Sequence, residues 1–128
     1  MLLDMPTLGF DLLIPQNTDW PGYNFPISGA DGTPYNLNGC TARGEIRPFA
    51  GSAELYYVWS TTPGLGEGLI TLEDSVLNIR TLAVETAPWR WTTAEYDVVL
   101  TNPGAPLGLR TSRIVMGTIA VSQAVTVG

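Results

Sequence analysis

The side chains that most often do chemistry in proteins are scarce in this chain. It has no histidine, and its six cationic residues are all arginines, so it has no lysine either. Without an imidazole or an amine, a serine or threonine hydroxyl has no base to activate it as a nucleophile. The twelve carboxylates are scattered over turns and strand ends and offer no specific pair for acid and base catalysis. We therefore expect a protein that is not an enzyme and has no catalytic residue.

Two further patterns can be compared with known ligand sites. Glu67, Glu73 and Asp74 lie close in sequence, but their spacing matches no calcium-binding loop. The glycine-spaced run at 64–68 precedes a predicted strand, which is typical of a hairpin loop and not of a phosphate-binding loop. Cys40 is the single cysteine, so it forms no intramolecular disulfide, and we expect it to be a small buried hydrophobe. No cofactor and no metal are expected.

Charge and hydropathy exclude several classes of partner. The net charge is −6, and the arginines, at positions 43, 47, 80, 90, 110 and 113, form no basic stripe, so nucleic acid is not an expected partner. The first residues lack the positive charge and the long apolar run of a secretory signal. No stretch approaches the roughly 20 apolar residues that span a membrane. We expect a soluble protein made in the cytoplasm.

Composition favours one β-rich domain. A chain of 128 residues with 45% hydrophobic content is long enough for one core and too short for two. Its 14 glycines and 10 prolines are spread along the chain, which suits short strands joined by turns and excludes a helical bundle.

Alternation of apolar and polar residues predicts the strands. Phe10, Leu12 and Ile14 share one face of a first strand. Residues 40–47 place small and apolar side chains on one face and charged side chains on the other. Further strands are predicted at residues 23–27, 53–60, 69–72, 76–80, 95–101 and, in one or two pieces, 109–127. In the segment 53–60 we expect Leu55, Tyr57 and Trp59 to lie on one side.

Local signals refine this pattern. Pro26 removes a donor from the ladder, which predicts an edge strand or a bulge. Gly117 is predicted to form a bulge in the last strand region. The segment 82–91 has no period of two and allows at most one helical turn. We expect Tyr96 to close the sandwich and Asp97 to cap a turn or pair with an arginine.

These signals predict an all-β protein with a single antiparallel, immunoglobulin-like β-sandwich of about 7–9 strands and at most one short helix. The immunoglobulin disulfide is absent. We assign residues 10–128 to the sandwich and residues 1–9 to an apolar N-terminal arm. We expect the arm to pack on an adjacent subunit or another protein of the same assembly, because it is too apolar for a solvated tail and too irregular for a strand.

Aromatic and apolar residues are the candidates for contact with partners. The candidate interface residues are Leu2, Leu3, Met5 and Leu8 in the arm, and Trp20, Tyr23, Tyr56, Trp89 and Trp91 in the sandwich. For the aromatic residues, which with Tyr57 and Trp59 number seven, we favour core and subunit contacts and expect at least half of the seven to be buried. The alternative is a sugar-stacking platform, which an exposed, coplanar aromatic pair would favour.

The order of several segments resembles a known family. The segments are 19–22 (DWPG), 31–34 (DGTP), 37–47 (LNGCTARGEIR), 68–72 (GLITL), 96–101 (YDVVLT) and 114–122 (IVMGTIAVS). This ordered set resembles the small virion proteins of tailed bacteriophages that have an immunoglobulin-like sandwich, such as minor tail proteins and the N-terminal domain of baseplate upper proteins. The likeness extends from about residue 10 to residue 126.

The resemblance implies a non-enzymatic structural subunit of the virion, in the tail, the baseplate or the tail tip. Such a subunit assembles with copies of itself, as a homo-oligomer or ring, and with other virion proteins. In longer relatives a fibre or receptor-binding part follows the domain, whereas this chain stops at Gly128, which favours an adaptor or decorating role over direct receptor binding. Two alternatives stay open: a capsid-decorating protein, and a carbohydrate-binding module whose partner is a glycan.

Overall fold

The computed structural model describes residues 7–123 of the protein. In sequence order its elements are β1 (Leu8–Gly9), β2 (Leu12–Pro15), β3 (Trp20–Pro26), β4 (Thr41–Arg47), β5 (Tyr57–Ser60), β6 (Gly68–Glu73), β7 (Val76–Thr81), α1 (Ala83–Thr86), β8 (Thr93–Thr101) and β9 (Thr111–Ser122). The all-β prediction is confirmed. The short helix α1 lies where the sequence allows one helical turn.

A single curled sheet contains all of these strands and folds into two layers. One layer holds β3, β7 and β6, and the other holds β9, β8, β4 and β5 in that order. β1 and β2 pair with the side of β9 that faces away from β8. A short β5–β6 pairing joins the two layers along one side. The two layers give the protein an all-β, sandwich-like fold.

The sheet is mixed, which corrects the expectation of a purely antiparallel sandwich. β1 and β2 run parallel to β9, and β5 runs parallel to β6. Alternation in a sequence tells which face a side chain takes, but not the direction of the neighbouring strand. The β5–β6 pairing is parallel because the loop 61–67 brings the backbone back beside Trp59 before β6 begins at Gly68.

Inward-facing residues of both layers meet in one core. Ala42, Gly44 and Ile46 of β4 are buried between exposed or half-buried charged residues, as predicted. β8 buries Tyr96, Val98 and Leu100 in the same alternating way, which is also as predicted. The largest fully buried side chains are Trp59, Phe25, Ile14, Leu37, Ile46, Ile70, Leu77 and Ile79. Each stabilises the fold by about 1.5–3 kcal/mol relative to an exposed side chain.

β5 is shorter than predicted, and Leu55 does not face the core. Leu55 is 41% exposed and lies before the strand, which spans Tyr57–Ser60. The cause is Arg47, whose Nη1 donates to the carbonyl oxygens of Ser52 at 2.8 Å and Glu54 at 3.3 Å. These bonds hold the segment as a loop.

Gly117 does not form the predicted bulge. It pairs in register with Tyr96, and the extra residue of β9 is Ile114, opposite a register shift in β8. Gly117 is instead a point of close approach, since a Cβ there would lie 2.0 Å from the carbonyl oxygen of Phe10. The Tyr96 hydroxyl donates to the same oxygen at 2.5 Å. The missing side chain therefore lets the segment between β1 and β2 dock on β9.

β3 is an edge strand, as Pro26 predicts. Within residues 7–123 it pairs with β7 alone, and a register shift between Trp20 and Tyr23 interrupts the pairing. Proline and irregular pairing both make an edge a poor template for another strand. Across the open side between the layers, the ring of Phe10 lies 4.4 Å from that of Tyr23 and 5.5 Å from that of Phe25. In the described part of the protein, these ring contacts close the open side, and no backbone hydrogen bonds pair β3 with β1 or β2.

Cys40 is half-buried, which corrects the expectation of a buried thiol. Ala42 and Gly44 on the same face are buried, so the predicted face is right. Cys40 lies one residue before β4, at the end of a turn and not in the strand itself. Burial still raises the pKa of its thiol.

Candidate interaction face

The outward-facing residues of β4, β8 and β9 line up in rows across the three strands. The rows are Arg47, Glu95 and Thr118; Glu45, Asp97 and Met116; and Arg43, Val99 and Arg113. We call this set the β4–β8–β9 face. It follows from the strict alternation of β4 and β8, and from the extra residue in β9, which turns Met116 outward.

Three ion pairs lie on this face. Glu45 contacts Arg43 at 3.0 Å and Arg47 at 2.8 Å, both of them two positions away on the same strand. Asp97 contacts Arg113 of the neighbouring strand at 3.2 Å, so the predicted arginine partner of Asp97 is found. Partly exposed pairs of this kind contribute about 0–1 kcal/mol each to stability.

The pKa of the Glu45 carboxyl reflects its position among these arginines. Burial raises the pKa, but the hydrogen bonds and charges of Arg47 and Arg43 outweigh burial and lower it below its ordinary value. Glu45 is thus held as a carboxylate between two guanidinium groups. Its charge is balanced within the same strand.

A loop folds over one end of the face and forms a cleft of about 540 Å³. The Ala50 amide donates to the Glu95 carboxylate, and Arg47 holds the carbonyl of Ser52, so the loop is tied to β8 and β4. Phe49 in this loop is 61% exposed and Met116 on β9 is 44% exposed, and both line the cleft. The cleft therefore has apolar groups on two walls and paired charges between them.

A second cleft of about 530 Å³ continues along the same face. It shares Glu45 and Asp97 with the first cleft. Hydroxyl groups dominate its remaining lining, from Thr41, Ser60, Thr61, Thr62 and Thr101. The two clefts together form one groove with an apolar end and a hydroxyl-rich end.

The structure does not gather the interface residues that the sequence predicts. Leu2, Leu3 and Met5 lie outside the described residues. Leu8 is 41% exposed and pairs with Val115 in the sheet, so the last residues of the predicted arm, Leu8 and Gly9, form part of the fold. Trp20 is half-buried against the core, and Tyr23 is 39% exposed beside Phe10.

Tyr56, Trp89 and Trp91 form a separate aromatic stack. The rings of Tyr56 and Trp91 are 5.0 Å apart and inclined by 5°, and Trp91 also stacks on Trp89 at 4.6 Å. Trp89 is buried and meets Tyr57 edge to face, so the stack continues into the core. Of the seven aromatic residues considered above, three are buried, Tyr57, Trp59 and Trp89, which is fewer than the half expected. The coplanar pair lies face to face, whereas a sugar platform needs ring faces that are open to a ligand.

Sequence reasoning missed Phe49, Met116 and Arg113. Phe49 lies in a turn that belongs to no strand pattern, where an apolar residue gives no periodic signal. The outward direction of Met116 depends on the extra residue Ile114, which the sequence does not mark. The charged outer side of β4 is the part of the face that alternation does predict.

Comparisons with known proteins add no family to this description. No protein-family model and no curated protein matches the sequence. Within residues 7–123, no helix has the length and apolar character to span a membrane. In the same part of the protein, no group of three or more acidic, histidine or cysteine side chains is placed to hold a metal ion.

Proposed function

We propose that the protein is a non-enzymatic structural protein that docks on other proteins through its β4–β8–β9 face. The observation that carries this proposal is the cleft in which exposed Phe49 and Met116 flank charges that are already paired. Protein interfaces have apolar anchors at the centre and a polar rim. Aromatic and Met side chains are enriched among such anchors.

The ion pairs favour docking for an electrostatic reason. Covering an unpaired charge costs several kcal/mol, whereas Glu45 and Asp97 bring their arginine partners with them. Arg43 and Arg113 have side chains that are 52% and 55% exposed, so each can also donate to an acceptor on a partner. A partner can thus cover Glu45 and Asp97 without leaving either carboxylate uncompensated.

We further propose that the partner proteins belong to the virion of a tailed bacteriophage. The support is the order of strand and turn motifs described above, together with the all-β, sandwich-like fold. The role proposed is that of a minor tail, baseplate or tail-tip adaptor subunit. It assembles with its own copies and with neighbouring virion proteins.

Purified particles of the phage that encodes the protein provide the test. Quantitative mass spectrometry of gradient-purified virions should find the protein at a fixed copy number per particle. A small copy number fits the tail and a large one fits a decorated head. Absence of the protein from clean particles would refute the virion proposal.

The docking face is tested by paired variants. Particles produced with a Phe49→Ser, Met116→Ser double variant should lose the protein, while a Leu65→Ser, Leu107→Ser double variant should incorporate normally. Leu65 and Leu107 are more exposed than Phe49 and Met116 and lie outside the face, so they control for a general loss of apolar surface. Equal incorporation of both variants would refute this choice of face.

A further inference from the structure

Asn38 and Gly39 form the tip of the turn that leads into β4. The Cys40 amide donates to the Leu37 carbonyl at 3.1 Å, and Gly39 has a φ of 78°, as in a type II turn. Both tip residues are exposed. Asn38 is the only asparagine in the sequence that a glycine follows.

The groups needed for ring closure at this tip are open. Within residues 7–123, no acceptor is found for the Gly39 N–H, and a Cβ on Gly39 would have no heavy atom within 4 Å. The backbone amide of Asn38 donates to Oδ1 of Asn36 at 3.0 Å, while its side-chain amide has no hydrogen-bond partner in the described part of the protein. The backbone nitrogen of Gly39 and Cγ of Asn38 are therefore both accessible.

We propose that Asn38 is a site of spontaneous deamidation. The deprotonated nitrogen of Gly39 attacks Cγ of Asn38, the Cγ–Nδ2 bond breaks, and ammonia leaves as a five-membered succinimide forms. One water molecule then opens the ring at either of its two carbonyl groups. The product is aspartate, or isoaspartate when the backbone runs through Cγ. Water is the one co-reactant, and nothing is oxidised or reduced.

Asn36 is close by, but its surroundings protect it. Attack on its side chain would need the nitrogen of Leu37, whose N–H donates to the carbonyl of Asp74 at 2.9 Å. The Leu37 side chain is 2% exposed, so this nitrogen cannot turn without unpacking the core. Asn36 is exposed, as Asn38 is, so the two side chains have similar access to water. The difference lies in the attacking nitrogen, because that of Leu37 is hydrogen-bonded and that of Gly39, within the described residues, is not.

Asp31 and Gly32 have the spacing for the corresponding ring closure from an aspartate, and here too the groups are held. Oδ1 of Asp31 accepts from the Thr33 hydroxyl at 2.8 Å and from the Thr33 amide at 3.1 Å. These bonds lower the pKa of Asp31 and keep it a carboxylate, which is a poor electrophile. The Gly32 N–H donates to the carbonyl of Gly29 at 2.9 Å.

The remaining asparagines with described side-chain bonds are also constrained. Asn24 and Asn78 bond to each other across β3 and β7 at 2.9 Å. Asn102 precedes Pro103, which has no N–H to deprotonate. Deamidation should therefore be faster at Asn38 than at Asn24, Asn36, Asn78 or Asn102.

The modification changes the turn that starts β4. It adds one negative charge to a protein of net charge −6. Isoaspartate also adds a methylene group to the backbone between Leu37, which is buried, and Cys40, which is half-buried. Aged protein should therefore unfold at a lower temperature than fresh protein.

Peptide mapping of the purified full-length protein tests the proposal. The protein is incubated in heavy-oxygen water, in mildly alkaline and in mildly acidic buffer, and its peptides are sequenced by tandem mass spectrometry. The expected result is loss of the amide at residue 38 alone, faster in alkaline buffer, with one heavy oxygen in the product. A synthetic peptide of residues 34–42 is incubated beside the protein, and its deamidation shows that the incubation time is long enough for the reaction.

Two matched variants complete the test. Asn38→Gln needs a larger ring and should abolish the reaction, while Asn24→Gln, which lies away from this turn on β3, should leave it unchanged. Deamidation at Asn36 at a similar rate would overturn the proposal. So would an intact Asn38 in the protein at a time when the peptide has reacted.

Discussion

Replacing Gly117 by alanine adds one methyl group at the point where the first strands dock. The new Cβ would lie 2.0 Å from the carbonyl oxygen and 2.7 Å from the carbonyl carbon of Phe10. Both atoms belong to the backbone, so no change of rotamer makes room. The segment between β1 and β2 must move away from β9.

The cost of this movement can be worked from the bonds that it breaks. Phe10 would lose the bond from the Tyr96 hydroxyl at 2.5 Å and the bond from its own amide to the Met116 carbonyl at 2.9 Å. The Thr118 amide would lose its hydrogen bond to Oδ1 of Asp11, which is 3.0 Å away. At about 0.5–1.5 kcal/mol for each of the three bonds, Gly117→Ala should lower the free energy of unfolding by about 1.5–4.5 kcal/mol.

Urea unfolding followed by tryptophan fluorescence measures this loss. Gly9→Ala is the matched control, because a Cβ on Gly9 in β1 has no heavy atom within 4 Å. The control should stay within about 0.5 kcal/mol of the unchanged protein. Tyr96→Phe removes one of the three bonds and should cost about 1 kcal/mol. A Gly117→Ala protein as stable as the Gly9→Ala protein would refute this account of the docking.

Three further outcomes are expected. Trp59→Ala should lower the free energy of unfolding by about 3–5 kcal/mol, since Trp59 is fully buried. Leu65→Ala, at a fully exposed position, should change it by less than about 0.5 kcal/mol. Similar urea midpoints for the two variants would contradict this expectation. Burial raises the pKa of Glu45, but Arg47 and Arg43 outweigh burial and lower this pKa below the ordinary 4.5. The ionised Glu45 therefore stabilises the fold above pH 4.5, and this stabilisation is lost as the pH falls through the lowered pKa of the folded protein. Glu45→Gln should therefore reduce the loss of stability between neutral pH and a pH below 4.5, and an unchanged pH dependence would count against the role of the arginines. Burial raises the pKa of Cys40, so a thiol reagent should label the native protein more slowly than the urea-unfolded protein, and equal rates would show that the thiol is unprotected.

Strict alternation in the sequence was enough to predict the faces of individual strands. In β4 and β8 every second residue is apolar or small. A shift of the pairing register by one residue would expose all of these side chains, so the pattern allows only one assignment of the buried face. The β6–β7 hairpin is likewise local, because Glu73, Asp74 and Ser75 supply a short turn between two apolar runs. These elements depend on neighbours in sequence.

The docking of β1 and β2 on β9 depends on residues from opposite ends of the sequence. The bond from the Thr7 hydroxyl to the Arg113 carbonyl joins residues 106 positions apart. No local pattern encodes the direction of such a pairing or the need for a glycine at position 117. For the same reason the charges of β4 were predicted, while Phe49 and Met116 became part of the candidate face only when loop and strand came together.

The parallel pairing of β2 with β9 also determines how the domain responds to a pulling force. The backbone enters β1 at one end of the sandwich and leaves β9 at the opposite end, because the paired strands run in the same direction. Tension between Thr7 and Gln123 therefore acts along these strands and shears their hydrogen bonds together. An antiparallel first strand would start beside the exit of β9, and the same tension would unzip its bonds one after another. The present arrangement is the mechanically stronger one. The hydrogen bond from the Tyr96 hydroxyl to the Phe10 carbonyl adds a further contact in the segment between β1 and β2.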